Sequence, residues 1–262
     1  MQTERLAARL TTRWLGRAYE WREQCSSTND VAAERARSGA PTGLVVAAET
    51  QSAGRGRLGR TWHAPAGENL TFSCLLRPAR AASEIPPLTL VVGAAVADAL
   101  LALGLRPRLK WPNDVQLEDA AGTRRKLAGV LTETVTAGDR VEHVVVGIGV
   151  NVNTTVFPPE LDDHAVSLRL ALGRTFDRSD VLADVLAALE PRLEDFDRRG
   201  AAAAVEAFAA HARLPDRCRV STPGRPGAVL EGTAIGLAPD GALLLRDDAE
   251  HIHRVVSGEI QP

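Results

Sequence analysis

The sequence predicts a β-sheet with helices packed on it, followed by a small all-β module, and three observations carry that expectation. Residues 109–117, 126–135 and 141–152 read as successive strands. Residues 88–103 are almost uninterruptedly apolar over a helical length, as a largely buried helix must be. After Leu214 the composition shifts to short strand-like runs separated by Pro and Gly turns, over a span that suits a small barrel of roughly 45 residues.

The elements follow in order. Leu6, Leu10, Trp14 and Leu15 suit one helical face, and 19–25 reads as extended. The run Ser26-Ser27-Thr28-Asn29-Asp30 is a helix start, because short polar side chains accept from the first free backbone N–H groups. The helix over 31–37 then closes at Gly39, a residue that tolerates the left-handed conformation of a helix end. Residues 43–49 read as a buried strand, and the Gly- and Arg-rich stretch 51–62 has no regular period. In 69–76, Leu70, Phe72, Cys74 and Leu76 alternate with Thr71 and Ser73, the pattern of a half-buried strand. The buried helix 88–103 stops at Gly104, and a turn at Ala137-Gly138-Asp139 joins the last two strands of the sheet. Helices are expected over 179–196, kinked by Pro191, and over 201–210. The terminal module should hold strands at Cys218–Ser221, 229–236, 242–245 and 252–256, which divides the chain into 1–213 and 214–262.

Of the 262 residues 45% are hydrophobic and 24% charged, which excludes a disordered chain or a fibre. With a net charge of -2 there is no global positive field to hold duplex nucleic acid, so any anion site must be local. Cys25, Cys74 and Cys218 are odd in number and in no metal-ligand spacing, which fits a reducing compartment. Arg5, Arg9, Arg13 and Arg17 break up the apolar runs at the start, so no signal peptide is expected. No stretch reads as a transmembrane span, and a cytoplasmic protein without a membrane partner is the expectation.

Four local features point to chemistry. Lysine occurs only at 110 and 126, against 29 arginines, and a compact ammonium is not interchangeable with a planar guanidinium. The segment Gly54-Arg55-Gly56-Arg57-Leu58-Gly59-Arg60 sets three cations among three glycines, where backbone amides can approach an anion and guanidinium groups can grip oxygens. Its alternative reading is a solvated flexible loop or an RNA-binding Arg-Gly segment. In 143–153, Val144, Val146, Ile148, Val150 and Val152 form one apolar face. The other face reads Val145, Gly147, Gly149, Asn151, Asn153, a hollow beside two amides. Finally, Asn113-Asp114 and Lys126 lie across a short Ala120-Ala121-Gly122 turn, close enough to share a site or a salt bridge. Trp62 and Trp111 suit either a core or a flat wall for a ring.

Taken in order, these segments resemble the biotin protein ligase family. The motifs are Ser27-Thr28-Asn29, the stretch from Gln51 through Gly54 and Arg60 to Trp62, Lys110-Trp111-Pro112-Asn113-Asp114, Lys126-Leu127-Ala128-Gly129-Val130-Leu131, and Gly147-Ile148-Gly149-Val150-Asn151-Val152-Asn153. Five motifs in family order over residues 27 to 153 make the likeness specific, and Gly258-Glu259-Ile260 resembles the family's C-terminal SH3-like module. The resemblance implies an α+β catalytic domain with a mixed sheet, packed with helices, plus that small SH3-like barrel. It implies a ligase using ATP and Mg²⁺, with biotin activated as biotinyl-5′-AMP and passed to a lysine of a biotin carboxyl carrier domain, such as that of acetyl-CoA carboxylase.

By the same resemblance, Ser27, Thr28, Asn29, Gln51, Gly54, Arg55, Arg57, Lys126 and Gly129 belong to the biotin site, with Lys126 holding the carboxylate and α-phosphate oxygens. Arg57, Arg60, Trp62, Lys126, Asn151 and Asn153 would serve ATP and the adenylate, the arginine segment folding over the ligands. Lys126, Arg55, Arg57 and Asp114 would be catalytic, Asp114 orienting the incoming lysine or assisting Mg²⁺, with no permanent metal site. Family members that repress transcription carry an N-terminal helix-turn-helix domain; only 26 residues precede Ser27, so no DNA partner is expected. Two rival readings stand beside this one: a lipoate or octanoate ligase on a related fold, and a nucleic-acid-binding protein using the Arg-Gly loop. Gln51 favours biotin over the first, and the near-neutral charge weighs against the second.

Overall fold

The computed structural model describes residues 3–221 and 229–261. Helix α1 (Thr3–Arg9) leads to β1 (Tyr19–Cys25), α2 (Thr28–Arg37), β2 (Val45–Gln51), β3 (Leu70–Leu76) and α3 (Leu88–Ala102). Strands β4 (Pro107–Lys110), β5 (Asp114–Glu118), β6 (Arg124–Ala137) and β7 (Arg140–Val150) then form an antiparallel meander. Four helices follow: α4 (Pro159–Asp162), α5 (Leu168–Leu172), α6 (Arg178–Arg199) and α7 (Ala201–Ala209). The chain ends in β8 (Cys218–Ser221), β9 (Val229–Leu237), β10 (Leu243–Arg246), β11 (Ile252–Val255) and β12 (Glu259–Gln261).

The main sheet has the order β1-β2-β3-β7-β6-β5-β4. Only β1 and β2 run parallel, because α2 carries the chain back between them, so the sheet is mixed. On one face α2 sets Ala32 and Ala36 against Val46, Leu75 and Val145. On the other, Phe72, Cys74, Val146 and Ile148 join the large core with α3, α6 and α7. The expected α+β architecture with a mixed sheet is the one observed. The terminal strands form a separate antiparallel sheet in the order β11-β10-β9-β8-β12, the small SH3-like module. It docks through Trp111, whose indole Nε1 donates to the Gly241 carbonyl at 3.2 Å, and through Gly241 itself, where a Cβ would stand 3.2 Å from Leu90.

Several expectations change. Residues 109–117 are a hairpin rather than one strand, because Pro112 has no N–H to give to a ladder and the chain turns back so that Lys110 pairs with Asp114. Strand β3 is buried along its whole length, not half-buried, since α2 and a polar trough cover the face that carries Thr71 and Ser73. Ala82–Ala102 is long and apolar enough to cross a membrane by composition, contrary to expectation, but that stretch is 72% buried as the core helix. Helix α6 runs through Pro191 as one helix, as expected, with Leu186, Leu189 and Leu193 in the core. Strand β12 was too short to show a period in the sequence and is fixed by pairing with β8. Cys74 and Cys218 are buried, and burial pushes the Cys74 thiol up to about 12, so it is a packing residue.

The N-terminal segment also differs. Helix α1 ends at Arg9, and Leu10, Trp14 and Leu15 lie beyond it, because the backbone N–H groups of Arg13, Trp14 and Leu15 all donate to the buried Glu190 carboxylate at 2.7–2.9 Å. Burial alone would raise the Glu190 pKa, yet the three N–H donors outweigh it and hold the carboxyl below its usual range. Its contribution is therefore present at neutral pH and fades as pH falls through that lowered value. Glu190→Ala strands three donors and should cost about 3 kcal/mol, lowering the thermal midpoint by roughly 5–10 °C at neutral pH. A midpoint unchanged within 1–2 °C by calorimetry would contradict this role.

Candidate active site

The trough on the α2 face of the sheet follows from where glycines fall in register. Gly149 pairs with Gly129 of β6 and with Thr71 of β3; Gly147 pairs with Leu131 and Ser73. One face of β7 is thus apolar and packed, while the other has two missing side chains over a cleft of about 480 Å³, counting its open mouth. Each glycine admits one neighbour closely. A Cβ on Gly147 would stand 2.4 Å from Asn29 Oδ1, and one on Gly149 would stand 2.2 Å from the Trp62 indole.

At the Gly147 level the trough is neutral and polar. Ser27 caps α2 and accepts from the Asn29 N–H at 3.3 Å, which places Thr28 and Asn29 at the wall. The Thr28 N–H donates to Gln51 Oε1 at 2.8 Å. Ser73 Oγ lies 2.7 Å from Thr28 Oγ1 and 2.6 Å from Asn29 Oδ1, while Asn29 Nδ2 donates to Glu133 at 2.7 Å.

At the Gly149 level, one pleat away, the trough is cationic. Lys126 Nζ sits 2.6 Å from Asp114 Oδ1 and 5.6 Å from the centre of the Trp62 ring, over Gly129. Arg57 reaches Asn113 Oδ1 at 3.3 Å, the Gly258 carbonyl at 3.2 Å and Ser257 Oγ at 3.4 Å. Burial pushes its guanidinium below the ordinary arginine value, against the pull of Asp114 and Glu259.

The arginine segment that joins the two levels holds no strand or long helix, as its lack of period implies, and doubles back as a hairpin loop. Arg55 bridges Thr61, Gly56 N–H donates to the Arg60 carbonyl at 2.7 Å, and the tip is a single tight turn with Leu58 at φ 57°. Arg55 anchors it by donating to Asp30 at 2.7 Å and to Glu133 at 3.3 Å. The Arg55 guanidinium holds the Asp30 carboxyl below its usual range, and Asp30 in turn raises the Arg55 value, so the pair stays ionised. Trp62 closes the wall, its indole Nε1 buried without a hydrogen-bond partner.

The structure therefore brings Ser27, Thr28, Asn29, Gln51, Arg55, Arg57, Trp62, Lys126 and Gly129 to one trough, with Asp114 at its edge. Trp111 belongs to the core instead. Gly54 lies behind the wall, where its carbonyl takes the Trp62 N–H at 3.0 Å. Three residues assigned to ATP and the adenylate, Arg60, Asn151 and Asn153, do not line this cleft. Asn151 donates to the Val166 carbonyl at 3.2 Å and lies 3.5 Å from the Lys126 carbonyl, and Asn153 exchanges two hydrogen bonds with the Phe176 backbone. Their amides brace the end of β7 and are spent there. Arg60 does not line the trough either, because it turns to Glu259 of the terminal module. Sequence reasoning missed Ser73, read as a solvated position, and Glu133. Both were findable: Ser73 is opposite Gly147, and Glu133 continues the Gly129-Leu131 face of β6.

Comparison with known proteins adds to this geometry. The Biotin/lipoate A/B protein ligase family profile matches residues 21–151, and the Biotin protein ligase C terminal domain profile matches 217–261. The Biotin--[acetyl-CoA-carboxylase] ligase of Mycobacterium tuberculosis is 35% identical over 247 residues, covering 88% of this chain and 86% of that protein. The chain belongs to the biotin protein ligase family. Within it, the Bifunctional ligase/repressor BirA of Bacillus spizizenii is 34% identical over 258 residues, covering 96% of this chain and 76% of that one. Among solved structures, the biotin protein ligase from Aquifex aeolicus in complex with biotin and ATP superposes with a TM-score of 0.76 at 29% identity, over 94% of this chain and 98% of that chain.

Proposed function

We propose that this ligase activates biotin with ATP as biotinyl-5′-AMP and transfers it to a lysine of a biotin carboxyl carrier domain, such as that of acetyl-CoA carboxylase. The observation that carries the reading is the two-ended trough. Thr28 and Gln51 offer hydrogen bonds to a urea at the Gly147 level, while Lys126 and Arg57 offer cations to a carboxylate and phosphates one pleat away. Residues 1–213 would supply the trough, and 214–262 would meet the hairpin through Arg57 and Arg60. Lipoate or octanoate would need apolar walls where Thr28, Asn29 and Gln51 stand, and the C-terminal profile match is to biotin ligases.

In the first step a biotin carboxylate oxygen attacks the α-phosphorus of ATP, and the bond to pyrophosphate breaks. Lys126, with one N–H held by Asp114 and two left to give, stabilises the oxygens drawn together, and Arg57 offsets the phosphate charge. In the second step the carrier amine attacks the biotinyl carbonyl, AMP leaves with the bonding electrons, and the amine loses a proton. Asp114, beside Lys126, is the carboxylate positioned to orient that amine. Mg²⁺ would be carried in on ATP, with Asp114 the carboxylate beside Lys126 that could assist it. When bound, the ion would neutralise phosphate charge.

The test is mass spectrometry of a carrier domain after incubation with biotin, Mg²⁺-ATP and the protein, with lipoate as the competing acid. Biotinylation of one lysine is expected; acylation by lipoate alone would reject the reading. Arg57→Gly should form the adenylate but release it at least tenfold faster, biotinylating bystander lysines, because the hairpin loses its hold on Asn113 and Gly258. Unchanged retention in a release assay would remove Arg57 from that role.

A further inference from the structure

We propose that Glu133 is a positioning residue that couples the urea end of the trough to the arginine hairpin. This rests on the biotin reading above and deepens it. Glu133 lies on β6 two residues beyond Leu131, on the trough face, and its carboxylate has two partners: Asn29 Nδ2 at 2.7 Å and Arg55 at 3.3 Å.

Proton counting gives the first partner its meaning. A carboxylate only accepts, so it fixes the Asn29 amide with nitrogen toward β6 and oxygen toward Ser73. Asn29 Oδ1 cannot donate, so it accepts from Ser73 Oγ at 2.6 Å, and the same serine hydroxyl lies 2.7 Å from Thr28 Oγ1, which faces it as an acceptor. Thr28 Oγ1 in turn donates its hydrogen to Gln51 Oε1 at 3.3 Å and keeps a lone pair. The Thr28 oxygen is left facing the trough as an acceptor. Gln51 Oε1 is occupied by the Thr28 N–H, so Gln51 Nε2 is left as a donor. An acceptor beside a donor matches the N–H and C=O of a ureide, and Glu133, by orienting the Asn29 amide, holds the Ser73 hydroxyl against Thr28.

The second partner ties that charge to the hairpin. Arg55 is shared between Asp30, in the first turn of α2, and Glu133, so one carboxylate orients the ring-reading groups and holds the segment that covers them. The two arms are separable. Glu133→Gln keeps an oxygen for Asn29 but loses the charge facing Arg55, whereas Ser73→Ala breaks the relay and leaves every charge in place.

The experiment measures biotin affinity by calorimetry, release of the adenylate by single-turnover trapping, and thermal midpoint. Wild-type protein that fails to bind biotin would reject the functional reading itself, independently of Glu133. With binding established, Ser73→Ala should weaken biotin about tenfold and change release less. Glu133→Gln should speed release about tenfold and change affinity less, and Glu133→Ala should move both. The proposal is overturned if Ser73→Ala leaves affinity within twofold or Glu133→Gln leaves release within twofold. It is also overturned if Glu133→Ala lowers only the midpoint. Should Glu133→Ala not fold, the other two variants decide the two arms.

Discussion

Replacing Lys126 by arginine should lower biotin-dependent ATP–pyrophosphate exchange by roughly a hundredfold or more, although it preserves the charge. Lys126 Nζ is packed between the Asp114 carboxylate at 2.6 Å and the face of Trp62, above Gly129, where even a Cβ would come within 3.2 Å of the ammonium. A guanidinium is wider and planar; in that slot it would either leave Asp114 or stand between the carboxylate and the phosphate that must close to bonding distance. In a chain with 29 arginines and two lysines, a lysine at this position points to a requirement beyond charge. Lys110, on β4 and not lining the trough, is the internal control: Lys110→Arg should cost much less. Exchange by both variants, with folding checked by thermal melting, decides the matter. Near wild-type exchange by Lys126→Arg would show that an ammonium is not needed.

The same residues show how far the sequence could be read. The alternation in 143–153 located the apolar and hollow faces of β7 correctly, because side-chain direction on a strand has a fixed period of two. That period does not say where a strand leaves the site. Asn151 and Asn153 continue the hollow face in sequence, but the chain beyond Val150 turns into the packing of α5 and the segment before α6, and their amides satisfy backbone there. Arg60 illustrates a second limit. Its sign was legible and its partner was not, since Glu259 lies 199 residues away on another sheet. Glu133 is a third: beyond its place on the trough face of β6, nothing in the sequence singles it out until Asn29 and Arg55 are brought to it by separate elements.

The two glycines of β7 should respond differently to the same methyl group, and Gly147→Ala is the more damaging. Its Cβ would stand 2.4 Å from Asn29 Oδ1, 3.1 Å from Cγ and 3.2 Å from Nδ2, so the whole amide is in the way. Asn29 cannot yield cheaply, because hydrogen bonds of 2.6 and 2.7 Å hold it from Ser73 and to Glu133. Displacing it leaves those groups unpaired and misdirects Thr28. Overpacking with a lost buried hydrogen bond costs about 3 kcal/mol, which is roughly a hundredfold in biotin affinity. At Gly149 the clash is nominally closer, 2.2 Å, but the obstacle is the Trp62 indole, whose Nε1 has no hydrogen-bond partner to lose. The indole can swing with the hairpin, so Gly149→Ala should cost roughly tenfold in affinity while releasing the adenylate faster. Calorimetry with biotin on both variants separates the cases. If Gly149→Ala proves the weaker binder, the distance of the clash governs the trough rather than how firmly the struck residue is held.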